Sequence, residues 1–310
     1  MNNRITVIIT TYKSTQNIIE RSIRSVLNQS VSPFEIIVVD DNDKNEFRNT
    51  SLIIENKYKD RIIFLYNEEN KGANYSRNRG ILSSHGDYIA FLDADDEWDC
   101  EYIKTVTREI SENNAYFITV NYQVVHKEGI LPPEFSSHKN ISGDISKIEL
   151  YRDVVGPTST VIVKRSLLIE AGLFDESLPA RQDYDMWLRV CKIAKLSYIY
   201  NPMVKVYRDG HDSISSSYIR NVDGTKKVLA KILTTNSLNE KEIKMIEASH
   251  LKHMSLACIL CHAYKDSRIY ARKSLVRNFD FTLVSWYILS YFPKFFDFIR
   301  NYRRRMKYIK

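Results

Sequence analysis

At 310 residues, with 44% apolar and 27% charged side chains, the chain has an ordinary globular composition and room for one large domain with an appendage, or for two. Four cysteines, with no signal peptide between Met1 and the first strand-like run, exclude a disulfide-stapled secreted module and imply thiols in a reducing compartment. The net charge of +7 is local: residues 294–310 hold seven basic side chains against Asp297, and the rest of the chain is nearly neutral.

The first 125 residues alternate between strand-like and helix-like stretches. The β-branched run 5–10 reads as a strand, and Ile18, Ile19, Ile23, Val26 and Leu27 recur at helical spacing. Residues 34–39 form a second continuous apolar strand, followed by a polar stretch and a helix to Lys59. Strands at 61–66 and 87–92 enclose a helix over 72–83, and 116–125 is one more strand. Continuous apolar strands separated by helices predict a mainly parallel sheet covered on both faces. The segment 127–145, with Pro132-Pro133, glycines and serines, reads as a mobile loop. A strand follows at 158–163 and a short helix at 184–194, and from about Ile219 onward the pattern is helical with one glycine, Gly224.

Open parallel sheets bind ligands beyond the carboxyl ends of their strands. Three polar groups fall there: Thr10-Thr11-Tyr12, Asp40-Asp41 and Asp93-Ala94-Asp95. The stretch 70–80 adds glycines, amides, Arg77 and Arg79 at a helix start, where free N–H groups favour anions. Asp96 or Asp99 suits the cap of the helix starting near Glu101. Asp93 and Asp95, spaced i and i+2 at a strand end, point instead to a hard cation, Mg²⁺ or Mn²⁺, that keeps water and phosphate as further ligands.

Six segments in order, VIITTYK (7–13), VVDDND (38–43), NKGANYSRNRG (70–80), FLDADDEW (91–98), GLFDESLPARQDYDMWLR (172–189) and YRDGHDSIS (207–215), resemble a family 2 glycosyltransferase of the GT-A fold. The resemblance covers about residues 4–216. It implies a Rossmann-like α/β sheet flanked by helices in a catalytic domain at 1–218, with a donor-binding half to about 98 and an acceptor half beyond. A C-terminal helical extension would occupy 219–310. By resemblance, Thr11, Tyr12 and Asp41 hold the nucleobase, typically uracil, Asp93 with Ala94 contacts the ribose, and Arg77 lies near base and diphosphate. Asp95 and His211 fall to the metal, and Asp183 is the catalytic base. The family usually has Glu-Asp where this chain has Gln182-Asp183, so one negative charge beside the base is gone.

Residue spacing supports Asp183 separately. Asp185 lies four residues from both Arg181 and Arg189 and reads as a structural ion-pair member, whereas the i+4 neighbour of Asp183 is Trp187, whose ring could pack against the sugar. The resemblance implies an inverting transfer of one sugar from a nucleotide-sugar, a UDP-sugar, to a saccharide hydroxyl. The processive members' Gln-x-x-Arg-Trp motif and transmembrane helices are absent from the sequence. A sugar-phosphate nucleotidyltransferase would share the sheet but lacks its Gly-rich phosphate loop here, and a non-catalytic membrane or polyanion binder would leave the acids unexplained.

Cys258-Ile259-Leu260-Cys261-His262 spells a haem-attachment pattern, but it continues an apolar helix, and core cysteines account for it without haem. The uncharged, aromatic-rich stretch 281–293, followed by the basic cluster, is too short to span a bilayer. It suits a helix lying on an anionic membrane surface; its alternative is a helix packed on the rest of the protein. No nucleic-acid recognition module accompanies the arginines. These features imply a cytoplasmic protein, peripheral to the inner face of the cell membrane, acting on a saccharide acceptor carried by lipid.

Overall fold

The computed structural model describes residues 3–43, 46–126, 129–133, 141–208 and 217–299. In chain order these form β1 (Ile5–Thr11), α1 (Gln16–Leu27), β2 (Glu35–Asp40), α2 (Glu46–Tyr58), β3 (Ile63–Tyr66), α3 (Ala73–Ser83) and β4 (Tyr88–Asp93). Next come β5 (Glu97–Trp98), α4 (Tyr102–Asn113), β6 (Phe117–His126), β7 (Gly129–Ile130), α5 (Ser146–Glu149), β8 (Val161–Lys164), α6 (Arg165–Glu170), α7 (Gln182–Val190) and β9 (Leu196–Tyr207). Helices α8 (Tyr218–Thr235), α9 (Glu240–Leu260), α10 (Tyr264–Arg277) and α11 (Phe281–Leu289) follow.

Among the described residues one sheet runs in the order β3-β2-β1-β4-β8-β6-β9-β5, with β7 beside β6. Strands β3, β2, β1 and β4 are mutually parallel, as their continuous apolar runs predict. Beyond β4 the pairing is mixed: β8 is antiparallel to β4 and β6, and β6 is parallel to β9. One face of β1, through Val7 and Ile9, joins a buried cluster with Ile19, Ile23 and Val26 of α1 and Val106 and Ile110 of α4. Each such side chain contributes roughly 1.5–3 kcal/mol by leaving water. On the other face Gly80 of α3 meets Ile8, where a Cβ would lie 2.7 Å from Ile8 Cγ2, so the helix can lie this close only without a side chain there.

Strand β9 is absent from the sequence reading because Pro202 interrupts it, and proline argues against an interior strand. The sheet accommodates it with an irregularity: the β6–β9 register shifts on either side of Asn121, which pairs with Pro202. Asn121 repairs the broken ladder by donating to Tyr200 O at 3.2 Å and accepting from Tyr122 N at 2.9 Å.

The chain forms two compact units that interleave along the sequence, rather than parting at one cut near 218. The first is Met1–Ser146, Val155–Glu176 and Met186–Asp209; the second is Lys147–Val154, Ser177–Asp185 and the described part of Gly210–Lys310. The short segments join the C-terminal helices through specific contacts. His250 on α9 donates from Nε2 to Leu150 O at 3.0 Å, and Ser249 donates to Tyr151 O. Helix α9 is opened by a reciprocal cap, Asn239 Oδ1 to Glu242 N and Glu242 Oε2 to Asn239 N, both 2.9 Å.

Candidate active site

In the first unit, β1, β2 and β4 end side by side, with Thr11 opposite Asp40 and Thr10 opposite Asp93. The polar groups at these strand ends therefore share one rim. Thr11 is buried at 2% exposure and its Oγ1 lacks a hydrogen-bond partner among the described residues, while Tyr12 stands 41% exposed beside the Lys13 ammonium. Asp41 is buried and its carboxylate accepts from Asn67 Nδ2 at 2.7 Å and from the Lys71 and Gly72 N–H groups at 2.8 Å. It thus fixes the loop that opens α3, where Gly72 takes φ +89°, a conformation that favours glycine.

The acids of 93–96 have separate surroundings. Asp93 Oδ1 accepts from Arg77 Nη2 at 2.7 Å; the Arg77 side chain is 9% exposed and its guanidinium lies 5.6 Å from the centre of the Phe174 ring. A turn closed by Asp96 N to Asp93 O at 3.0 Å rotates Asp96 inward, to 4% exposure. There it accepts from Ser159 Oγ at 2.5 Å and from Tyr207 N at 3.2 Å. Burial first, then Asp95 and Asp93, push the Asp96 carboxyl well above the usual range, favouring its protonated form. Asp95 is partly exposed, and Arg21 donates to its backbone carbonyl at 2.5 Å while stacking 3.5 Å over Tyr207. Neither Asp96 nor Asp99 caps α4: the residue at its N-terminal cap is Glu101, without a side-chain cap bond, and Asp99 Oδ1 accepts from Glu101 N at 2.9 Å in the turn that leads into the helix.

Among the described residues no three His, Cys, Asp or Glu side chains gather as a metal cage. The rim still fits a hard cation: its donors are carboxylate oxygens, and the Asp95 and Asp93 charges add to the burial that raises Asp96. Mg²⁺ or Mn²⁺ needs only one or two protein carboxylates where a substrate phosphate completes the shell.

In the second unit, Asp183 sits in the first turn of α7, one residue inside its start, and its Oδ1 accepts from Tyr184 N at 2.8 Å. Arg181, just before it, adopts φ +63° and bonds Asp153 Oδ2 at 3.0 Å, with its guanidinium 4.1 Å over the Tyr184 ring. Burial works against the Arg181 charge, but Asp153 and Asp183 more than offset it and raise its pKa. Glu149, fully buried, is pushed well above the carboxylate range by burial, then by Asp153, with Asp183 adding to it. Gln182 is partly exposed.

Two expectations change here. Trp187 has no exposed surface: its ring packs among Phe91, Phe117 and Phe174, and Nε1 donates to Gly156 O at 3.2 Å. It is core of the first unit and offers no face to a sugar. Asp185 is an ion-pair member, but a buried one, 2.8 Å from Lys231 on α8, a partner that local spacing could not supply. Arg189 reaches the carbonyls of Ala171 and Leu173. His211 and the basic residues beyond 299 lie outside the described residues, as does part of the 127–145 loop. Sequence reasoning missed Arg21, Asn67, Ser159 and Tyr207, and only their placement in the fold marks them.

A sheet whose parallel half carries an acidic rim at the ends of its strands is of the nucleotide-binding α/β class. The model of "Glycosyl transferase family 2" matches residues 6–168, and the chain belongs to that family. An uncharacterised glycosyltransferase of Methanocaldococcus jannaschii is 30% identical over 187 residues, 60% of this chain and 63% of its own, so this chain spans less than two thirds of that relative. The Escherichia coli UDP-Glc:alpha-D-GlcNAc-diphosphoundecaprenol beta-1,3-glucosyltransferase WfgD is 29% identical over 214 residues, 69% of this chain and 80% of its own. Among solved structures, Staphylococcus aureus TarS 1-349 in complex with UDP-GlcNAc superposes with TM-score 0.60 at 18% identity, covering 88% of this chain and 89% of the other. The Pyrobaculum calidifontis mannosyltransferase PcManGT with GDP-Man and Mn²⁺ gives 0.61 at 14% identity, covering 94% and 84%. At such identities these likenesses show the GT-A fold alone.

Proposed function

We propose that the chain transfers a single sugar from a UDP-sugar to a hydroxyl of a lipid-linked saccharide in surface-polysaccharide assembly. The observation that carries this reading is the rim of Thr11, Asp41, Asp93 and Asp95 at the ends of three parallel strands, with Arg77 of α3 paired to Asp93. The relative that acts on a diphosphoundecaprenol acceptor supports the lipid-linked acceptor. Tyr12 offers an exposed ring for the base, Asp93 with the Ala94 backbone meets the ribose, and Arg77 faces the diphosphate. Asp95, with His211, would hold Mn²⁺ or Mg²⁺; when bound, the ion neutralises charge on the diphosphate. Asp183 takes the proton from the acceptor hydroxyl as its oxygen bonds to the anomeric carbon. The carbon–oxygen bond to UDP breaks with its electron pair, so the centre inverts.

Membrane association belongs to the same proposal. No helix among the described residues is long and apolar enough to cross a membrane. Leu283 and Phe296 are buried in the second unit, yet Phe281, Phe292, Phe295 and Phe298 are 55–80% exposed. The C-terminal segment therefore packs by one face and presents aromatic rings on another, which suits an anionic lipid interface. The test is UDP release from a panel of UDP-sugars with and without Mn²⁺. UDP release that requires the ion supports the reading; no release from any donor, or full release in excess chelator, refutes it.

A further inference from the structure

We infer that helix α8 positions the Asp183 carboxylate, with Gly224 and Lys231 as the positioning residues. The inference deepens the proposed function and rests on Asp183 being the base. Residues 224, 227 and 231 form one stripe of α8, at i, i+3 and i+7, and all three touch the segment Ser177–Asp185. Lys227 Nζ lies 3.4 Å from Ser177 O. At Gly224 the helix meets the Ala180 backbone so closely that a Cβ would fall 2.4 Å from its carbonyl oxygen and 2.9 Å from its carbonyl carbon. Lys231 Nζ lies 2.8 Å from Asp185 Oδ1, and that carboxylate is 4% exposed.

The segment is thus held at residues 177, 180 and 185, six and three residues before Asp183 and two after it. Between the last two points, the left-handed Arg181 is pinned by Asp153 at 3.0 Å and by the Tyr184 ring at 4.1 Å. The obstacle at Gly224 is backbone, which cannot swing aside as a flexible side chain would. Holding a base at fixed points matters because a displacement of about 1 Å can cost 10²-fold in rate. On this reading the C-terminal helices are part of the catalytic apparatus and not an appendage to it.

The experiment combines amide hydrogen exchange with turnover of the donor–acceptor pair selected by UDP release. Gly224→Ala should speed exchange in 177–185 while β1, β2 and β4 keep their protection. It should lower kcat by roughly 10²-fold with the donor KM unchanged. Wild-type exchange and kcat in Gly224→Ala would overturn the inference. If Asp183→Asn stays fully active while Gly224→Ala loosens 177–185, the base assignment fails and the clamp stands. Should Gly224→Ala not fold, Lys231→Arg and Lys231→Met decide: the arginine keeps most of kcat, the methionine loses at least about tenfold. Equal kcat in those two variants counts against the clamp.

Discussion

His250 ties the stability of the second unit to pH, and its contribution can be worked from its surroundings. The ring is 4% exposed, donates to Leu150 O at 3.0 Å and lies 5.8 Å from the Tyr184 ring. Burial above all, then the Arg181 charge, lowers its pKa from 6.5 to about 4, against the Leu150 bond and Asp153, which favour the proton. A histidine with a depressed folded pKa contributes stability above its unfolded pKa and loses it as pH falls toward the folded one. The window is therefore pH 6.5 down to about 4, and the full contribution is about 3 kcal/mol at 1.36 kcal/mol per pH unit. About 2 kcal/mol of it should be gone between pH 7 and pH 5. Glu149 acts in the opposite sense, since its raised pKa adds stability at low pH that is lost as pH rises. The variant His250→Gln separates the two: it keeps an N–H for Leu150 O and cannot titrate. Urea unfolding followed by circular dichroism should show the wild type losing about 2 kcal/mol more than the variant from pH 7 to pH 5. Parallel losses in the two proteins would refute the assignment of that slope to His250.

Three further outcomes are expected. Asp95→Asn should abolish transfer and weaken Mn²⁺-dependent UDP binding, because a neutral amide is a poorer ligand for a hard cation; calorimetric titration of UDP with and without Mn²⁺ checks it. Asp183→Asn should lower kcat by about 10²–10⁴-fold with donor affinity unchanged. Asp185→Asn should keep kcat within about threefold, since the amide oxygen still accepts from Lys231, and cost about 1–2 kcal/mol in urea unfolding; the reverse pattern would reassign the base. Replacing the exposed Phe281, Phe292 and Phe295 by serine should leave unfolding unchanged and weaken binding to phosphatidylglycerol vesicles roughly 10²-fold, as three rings lose apolar contact. Unaltered vesicle sedimentation would exclude this face as the anchor.

The parallel half of the sheet was legible because β1, β2 and β4 are buried on both faces and so read as unbroken apolar runs. Their order placed the acids on one rim without any knowledge of side-chain contacts. What escaped were features set by long-range contact: β9 with its proline, and the segments 147–154 and 177–185 that leave the sheet to join the C-terminal helices. Trp187 was misplaced for a reason visible in helix geometry. A residue four positions from Asp183 shares its side of the helix but lies about 6 Å further along the axis. Over that distance α7 passes from a partly exposed first turn into the aromatic core.

The crowded acids of 93–97 show how local sequence and fold divide the work. Four carboxylates in five positions would repel strongly if all were charged and faced the same water. The turn from Asp93 to Asp96 instead gives each a different neighbourhood: Arg77 for Asp93, Ser159 and Tyr207 N for Asp96, and the Tyr207 hydroxyl with Lys205 for Glu97. Burial also favours the neutral form of Asp96, which lowers the repulsion its neighbours feel. Asp95 is partly exposed on the rim, and its backbone carbonyl accepts from Arg21. A spacing that looked like excess charge is therefore divided among separate surroundings: Asp96 turns inward, while Asp93, Asp95 and Glu97 stay partly exposed.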